Sequence, residues 1–78
     1  MEKDEKELLK EISFFVLDNK TTSINVIARH FDLGFNRVNK ILNEMEELGI
    51  ISALDSKKGR KILVNKKGLD NILNNNLK

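Results

Sequence analysis

The sequence predicts a mainly α-helical domain that carries one small β-hairpin, an α+β fold in a chain of 78 residues. Three observations lead to this fold class. Apolar residues recur at helical spacing in four stretches. Two apolar, β-branched stretches flank a polar connection that ends in glycine. Glycine and asparagine stand where helices would begin or end. The expected order is helix, short strand, helix, helix, strand, strand, helix, in a single domain of residues 1–78.

The first helix is expected over residues 4–18, where Leu8, Ile12 and Phe15 recur at helical spacing. Acidic residues near its start suit the positive end of the helix dipole. The segment from Thr21 to Ile24 is short, polar and β-branched, which favours a brief extended strand.

Asn25 is the expected N-cap of a second, short helix over residues 26–31, with Val26 and Ile27 directed inward. A turn that contains Gly34 separates it from the third helix, residues 35–48. At 100° per residue, the apolar residues of the third helix share one side. They are Phe35, Val38, Ile41, Leu42, Met45 and Leu48.

Residues 50–64 are expected to form the β-hairpin, with a basic tip between its two strands. Gly49 ends the preceding helix, and Asn65 can cap a last helix over residues 66–74. Two helices joined by a short glycine-containing turn form a helix-turn-helix. A hairpin that follows the second of them is a wing, so the sequence predicts a winged helix-turn-helix.

The third helix of such a fold normally enters the major groove of DNA. Its outward face offers four candidates for base or groove contacts: Asn36, Arg37, Lys40 and Asn43. Asparagine can pair with adenine through two hydrogen bonds, and arginine or lysine can contact guanine. Candidates for phosphate contacts are Ser23, Asn25 and Arg29 before this helix, and Lys57, Lys58, Arg60 and Lys61 in the wing.

The placement of charge agrees with this function without requiring it. Residues 1–20 carry six acidic residues against four lysines, whereas residues 50–78 carry seven basic residues against two acidic ones. A polyanion would therefore meet the C-terminal third of the chain. The alternative is that the lysines only solvate a surface loop, that the stem of one basic wing residue covers apolar surface, and that the polar stripe of the third helix only faces water.

Other classes of function find little support in the residues. There is no cysteine, and His30 is the one histidine, so no metal or other cofactor is expected. No serine stands in a His–Asp pattern and no glycine-rich phosphate loop is present, so neither an enzyme nor a small-molecule substrate is expected. No apolar run is long enough to span a membrane. We expect a cytoplasmic protein associated with the nucleoid.

One stretch resembles a known family. The motif Arg29-x-Phe31-x-Leu33-Gly34-Phe35-Asn36-Arg37, followed by Met45-Glu46-x-x-Gly49-Ile50-Ile51, is similar to the C-terminal gamma domain of FtsK/SpoIIIE-type DNA translocases. The similarity runs without gaps from Ser23 to Leu63, about half of the chain. It includes Asp55 and Arg60 of the wing.

The resemblance implies a domain that reads a short, oriented, G-rich sequence on double-stranded DNA and also contacts a Xer-type recombinase. Its base-reading positions fall on Asn36, Lys40 and Asn43, with Arg37 and Arg60 also matching. Many members of the family carry arginine at the position of Lys40 and glutamate at that of Asn43. No Walker-type segment precedes the domain, so the chain is expected to be an excised domain or a stand-alone relative.

A second function remains open from the residues. The acidic first helix and the glutamates that end the third helix favour a protein-interaction domain without a DNA role, with Phe14, Leu17 and Glu44 on the contact surface. Its partner would be a Xer-type recombinase, a regulator, or a second copy of the chain.

Overall fold

Four α-helices make up the regular secondary structure of residues 4–76, the part of the chain that the computed structural model describes. They are α1 (Glu5–Asn19), α2 (Ile24–Phe31), α3 (Phe35–Glu47) and α4 (Lys66–Asn76). Helix α1 packs against each of the other three helices, and α2 packs against α3. The prediction of a mainly helical domain is confirmed.

The predicted β-hairpin is wrong, because no residue between 4 and 76 belongs to a β-strand or a sheet. Residues 50–64, here called the connection, hold only two isolated antiparallel bridges, Ile51–Ile62 and Asp55–Gly59. The winged helix-turn-helix, which requires a hairpin of two strands, is therefore not the fold observed. The order with three strands is wrong for the same reason.

Competing hydrogen bonds explain why the bridge at Ile51 does not extend into a ladder. On one side, the N–H of Lys61 donates to the Ser52 side-chain oxygen at 2.8 Å, while the Ser52 carbonyl accepts from Arg60 at 3.0 Å. On the other side, the N–H of Ile50 donates to the carbonyl of Met45 in α3 at 2.9 Å. Each neighbouring pair thus loses one of the two backbone bonds that a closed antiparallel pair needs.

The expected short strand before α2 is also wrong, because Ile24 is already the first residue of that helix. Lys20 adopts the left-handed conformation at φ 52°, which ends α1 and redirects the chain. The N-cap is Ser23 and not Asn25, since the Ser23 hydroxyl accepts from the Val26 N–H at 3.4 Å. Helix α2 therefore begins two residues before the expected start.

The core lies between α1, α2, α3, α4 and the first residues of the connection. Helix α3 contributes the deepest stripe: Val38, Ile41, Leu42 and Met45 have no exposed surface. Burying that stripe directs the polar side of the helix outward. Two residues expected to point inward do not, since Val26 is 45% exposed and Phe35 is 59% exposed.

The tip of the connection is a turn organised by one carboxylate. Asp55 Oδ1 accepts from the backbone N–H groups of Lys57 at 2.7 Å and Lys58 at 2.9 Å. Asp55 and Gly59 exchange two backbone bonds of 2.9 Å, and Gly59 has a φ of 70°, which favours glycine. The two N–H donors lower the pKa of Asp55 below its ordinary value.

The two candidate caps of α2 provide a test of the helix start. Ser23→Ala should lower the free energy of unfolding by about 1 kcal/mol, because the Val26 N–H loses its acceptor. Asn25→Ala, made within the first turn of the same helix, should cost less. Urea denaturation of both variants gives the comparison, and a larger loss for Asn25→Ala would contradict the assigned cap.

The Asp55 turn should depend on pH. Because the carboxyl pKa is lower in the folded than in the unfolded chain, its contribution is present above the ordinary aspartate pKa. The contribution is lost as the pH falls through the folded value. Wild type should therefore exceed Asp55→Asn in stability at pH 7, and the difference should shrink below about pH 4.

Amide NMR shifts of Lys57 and Lys58 report the same transition directly. Asp70→Asn, which removes the same charge from α4, serves as the control and should leave those two amides unchanged. A pH-independent gap between wild type and Asp55→Asn would show that the carboxylate charge does not order the turn.

Candidate nucleic-acid interface

The outward side of α3 is a row of polar side chains. Asn36, Asn39, Lys40 and Asn43 are all exposed and lie on the first three turns of the helix. Residues three and four apart share a helix face, so this row is continuous. Arg37 is half-buried at its edge. The row is the surface on which base contacts were predicted.

Lys40 is held by one weak interaction. Its Nζ lies 3.5 Å from Glu5 Oε1 of α1, and the two side chains are 65% and 48% exposed. A pair this exposed and this long contributes less than about 1 kcal/mol. Lys40 can therefore leave Glu5 for an incoming anion at little cost.

Arg60 was predicted to contact phosphate, but the structure buries its side chain. Its side chain is only 6% exposed, and its guanidinium makes three hydrogen bonds. Nη1 donates to Glu46 Oε1 at 2.8 Å and to the Ser52 carbonyl at 3.0 Å, while Nη2 donates to Asn43 Oδ1 at 3.0 Å. Arg60 therefore ties the connection to the outward side of α3 and is not presented at the surface.

A groove of about 470 Å³ lies where α2, α3 and the connection meet. Residues from three segments line it: Ser23 and Asn25 at the start of α2, Phe35 and Asn39 on α3, and Leu54, Gly59 and Arg60 in the connection. The Thr22 hydroxyl donates to the Arg60 carbonyl at 3.4 Å and joins the α2 side to the connection. Of the residues predicted to contact DNA, Ser23, Asn25 and Arg60 are among those that line the groove.

The α2 candidates occupy one exposed side of that helix. Asn25 and Arg29 are exposed and four residues apart, so they lie one above the other. The Ser23 hydroxyl oxygen accepts a hydrogen bond as the N-cap, but its O–H group can still donate one. The first amides of α2 also face outward from the helix start, beside the groove.

The lysine candidates of the connection are all exposed. Lys57 and Lys58 lie in the Asp55 turn, which their own backbone N–H groups help to hold. Lys61 is exposed, and its neighbour Ile62 is half-buried and packs against the core. These three lysines, unlike Arg60, have exposed side chains.

Asn39, Phe35 and Leu54 line the groove but were not among the residues predicted to contact DNA. Asn39 had been placed at the flank of the polar face, although the spacing of α3 puts it beside Asn36 and Asn43. Phe35 had been assigned to the core, and the 71% exposed Leu54 had been read as part of a polar loop. An apolar residue within a charged tip was the available signal for Leu54.

Other chemistry-bearing residues form no second site in the described part of the chain. His30 packs its ring 4.3 Å from that of Phe15 and 4.9 Å from that of Phe31. Within residues 4–76, no three His, Asp or Glu side chains gather closely enough to hold a metal ion. No helix in that range has both the length and the apolar character needed to cross a membrane.

Comparison with known proteins identifies the family. The model of the FtsK gamma domain matches residues 3–65, which is more than half of the chain. The DNA translocase FtsK of Clostridium acetobutylicum is 43% identical over 68 residues, covering 87% of this chain. The DNA translocase FtsK of Haemophilus influenzae is 45% identical over 56 residues, covering 72%.

The chain spans only about a tenth of the length of these relatives, 9% of the Clostridium protein and 10% of the Haemophilus protein. The similarity therefore concerns one domain and not the whole translocase. The family match covers the first three helices and the connection, and it ends just before α4. The chain belongs to the FtsK gamma domain family.

Proposed function

We propose that this chain is a sequence-specific, non-enzymatic binding domain for double-stranded DNA. The observation that carries the proposal is the groove at which the start of α2, the polar side of α3 and the connection meet. It is lined on its α3 side by Asn39, whose amide suits base edges, and on its α2 side by Ser23 and Asn25, which suit phosphates. Protein–DNA interfaces combine these two kinds of contact.

Helix α3 supplies the base contacts in this proposal. Asn36, Lys40 and Asn43 enter the major groove, with Arg37 at their edge and Asn39 added from the structure. The acidic residues of the helix are Glu44, Glu46 and Glu47, all in its last turn. Their charge repels phosphates, so the duplex contacts the first two or three turns only.

Two segments beside α3 supply the phosphate contacts in this proposal. Ser23, Asn25 and Arg29 provide them from α2, and Lys57, Lys58 and Lys61 from the connection. All six are exposed. Arg60 is excluded from this set because its guanidinium is buried against Glu46, Asn43 and Ser52. It acts by positioning its neighbours.

The relatives support the proposal through their names, which describe them as DNA translocases. Double-stranded DNA is accordingly the partner we propose, in a cytoplasmic setting at the nucleoid. A Xer-type recombinase is the protein partner that the family resemblance implies, and self-association is the alternative. No surface is assigned to either.

The structure gives little support to the alternative function, a protein-interaction domain without a DNA role. Phe14 and Leu17, two of the residues that favoured it, pack half-buried against the core and do not form an exposed apolar patch. The large apolar side chains that are exposed beside a groove are Phe35 and Leu54, and these lie next to the proposed DNA contacts.

The phosphate contacts predict a specific dependence on salt. Replacing Lys57 and Lys58 together by alanine should weaken binding to all duplexes about equally. Each lost phosphate contact should also reduce the slope of log K against log salt by about 0.9. Replacing Lys66 and Lys67 of α4 removes the same charge away from the groove and is the matched control. Fluorescence anisotropy with random duplexes across a salt series measures both effects.

The base contacts predict an effect on selectivity. Alanine at Asn36 or Lys40 should cost about 1–3 kcal/mol on the preferred sequence and much less on unrelated duplexes. Selection from a randomised duplex pool, followed by anisotropy titrations, gives the comparison. Absence of binding to any duplex at low salt, or binding without sequence preference, would overturn the proposed function.

A further inference from the structure

We propose that Arg60 determines specificity by fixing the side-chain amide of Asn43, so that Asn43 presents N–H donors to the DNA and selects guanine. The inference rests on the proposed function and names the base that one residue of the interface reads. It follows from the hydrogen bonds around Arg60, a residue whose burial keeps it from contacting the duplex itself.

The orientation of the amide follows from the chemistry of its partner. Arginine carries only hydrogen-bond donors, so the Asn43 atom 3.0 Å from Arg60 Nη2 must be the acceptor, Oδ1. The oxygen of the amide thus faces the connection. The amide nitrogen leaves the same carbon about 120° away and is directed from the connection toward the exposed side of α3.

Arg60 is itself held in place, which makes the amide orientation persistent. Its Nη1 donates both to Glu46 Oε1 at 2.8 Å and to the Ser52 carbonyl at 3.0 Å. The guanidinium is planar and rigid, so these two acceptors also fix the direction of Nη2. Rotating the Asn43 amide would place its NH₂ group against a donor and leave a buried guanidinium N–H without a partner.

A fixed donor discriminates among the major-groove edges of the bases. Guanine presents two neighbouring acceptors, N7 and O6, which can take both N–H groups of the amide. Thymine presents one acceptor, O4, beside its methyl group, and cytosine presents the N4 amino group, which is a donor. Adenine has an acceptor beside the N6 amino group, and its favoured asparagine contact uses both the oxygen and the nitrogen of the amide. Because Arg60 holds that oxygen toward the connection, the two-bond contact with adenine is out of reach, and Asn43 should favour guanine over adenine.

The test compares duplexes that differ at one base pair. Selection from a randomised pool with wild type and Asn43→Ala identifies the position at which Asn43 acts, since only there should preference disappear. Wild type should prefer guanine over adenine at this position by about tenfold. Adenine preferred there, or no base preferred there in a sequence that is otherwise selected, would overturn the inference and leave the proposed function standing.

Asn43→Asp is the sharpest variant because it keeps an acceptor for Arg60 and therefore keeps the fold. It turns the outward atom from a donor into an acceptor, so the preference should change from guanine to cytosine. Asn71→Asp adds the same charge at an exposed position of α4, outside the proposed interface, and is the control, in which guanine should be retained. An unchanged guanine preference in Asn43→Asp would refute the inference.

Arg60→Lys tests the positioning role itself. Lysine keeps the charge but loses the rigid fork, so the amide is released and the preference at this one position should relax from guanine toward adenine. A merely structural role would weaken all positions equally. A thermal melt monitors folding, and if this variant does not fold, Asn43→Asp still decides. Failure of wild type to bind any duplex at low salt would instead refute the proposed function.

Discussion

The Arg60 guanidinium is the interaction on which the shape of the outer surface depends. Its three hydrogen bonds join α3, through Asn43 and Glu46, to the connection, through Ser52. With a side chain only 6% exposed, it is shielded from water on most sides, where hydrogen bonds that involve charge are strongest. A buried guanidinium is costly unless its donors are satisfied, so the connection is held where those acceptors are available.

The same bonds explain a local departure from regular structure. The Ser52 carbonyl accepts from Arg60, and the Lys61 N–H donates to the Ser52 hydroxyl. The Lys61 N–H therefore does not donate to the Ser52 carbonyl, as a regular ladder would require. The interruption of the ladder is therefore coupled to the position of the Arg60 guanidinium. A chain with apolar, β-branched residues at Ile50, Ile51 and Ile62 can pair once and still form no strand.

Sequence periodicity could predict the helices because each buries an apolar stripe at 3.6-residue spacing. It could not predict the missing strands, since the side-chain competition at Ser52 depends on a residue eight positions away. The cap of α2 was misplaced because Ser23 and Asn25 are both favourable caps, and only the helix start decides between them. The same spacing assigned Phe35 to the apolar side of α3, but its side chain is 59% exposed and lines the groove.

For the candidate site, the sequence could show which residues share a face of α3 but not how they contact the connection. Spacing alone puts Asn36, Lys40 and Asn43 on one face of α3. It cannot show that Asn43 and Arg60, seventeen residues apart, share a hydrogen bond, and so it assigned Arg60 by its charge alone. Charge is a poor guide for a residue whose positive group is already opposite Glu46 at 2.8 Å.

The arrangement also constrains the symmetry of what the domain can read. The proposed base contacts lie on one helix, with amide and hydroxyl groups of α2 on one side and lysines of the connection on the other. These two flanks differ in chemistry, so a single copy has no two-fold relation to match a palindromic site. Under the proposed function, we therefore expect a single domain to favour a directional sequence. The proposed interface is small and contains few phosphate contacts. We therefore expect strong binding when several copies are tethered, because tethering raises the effective concentration of each copy at the DNA.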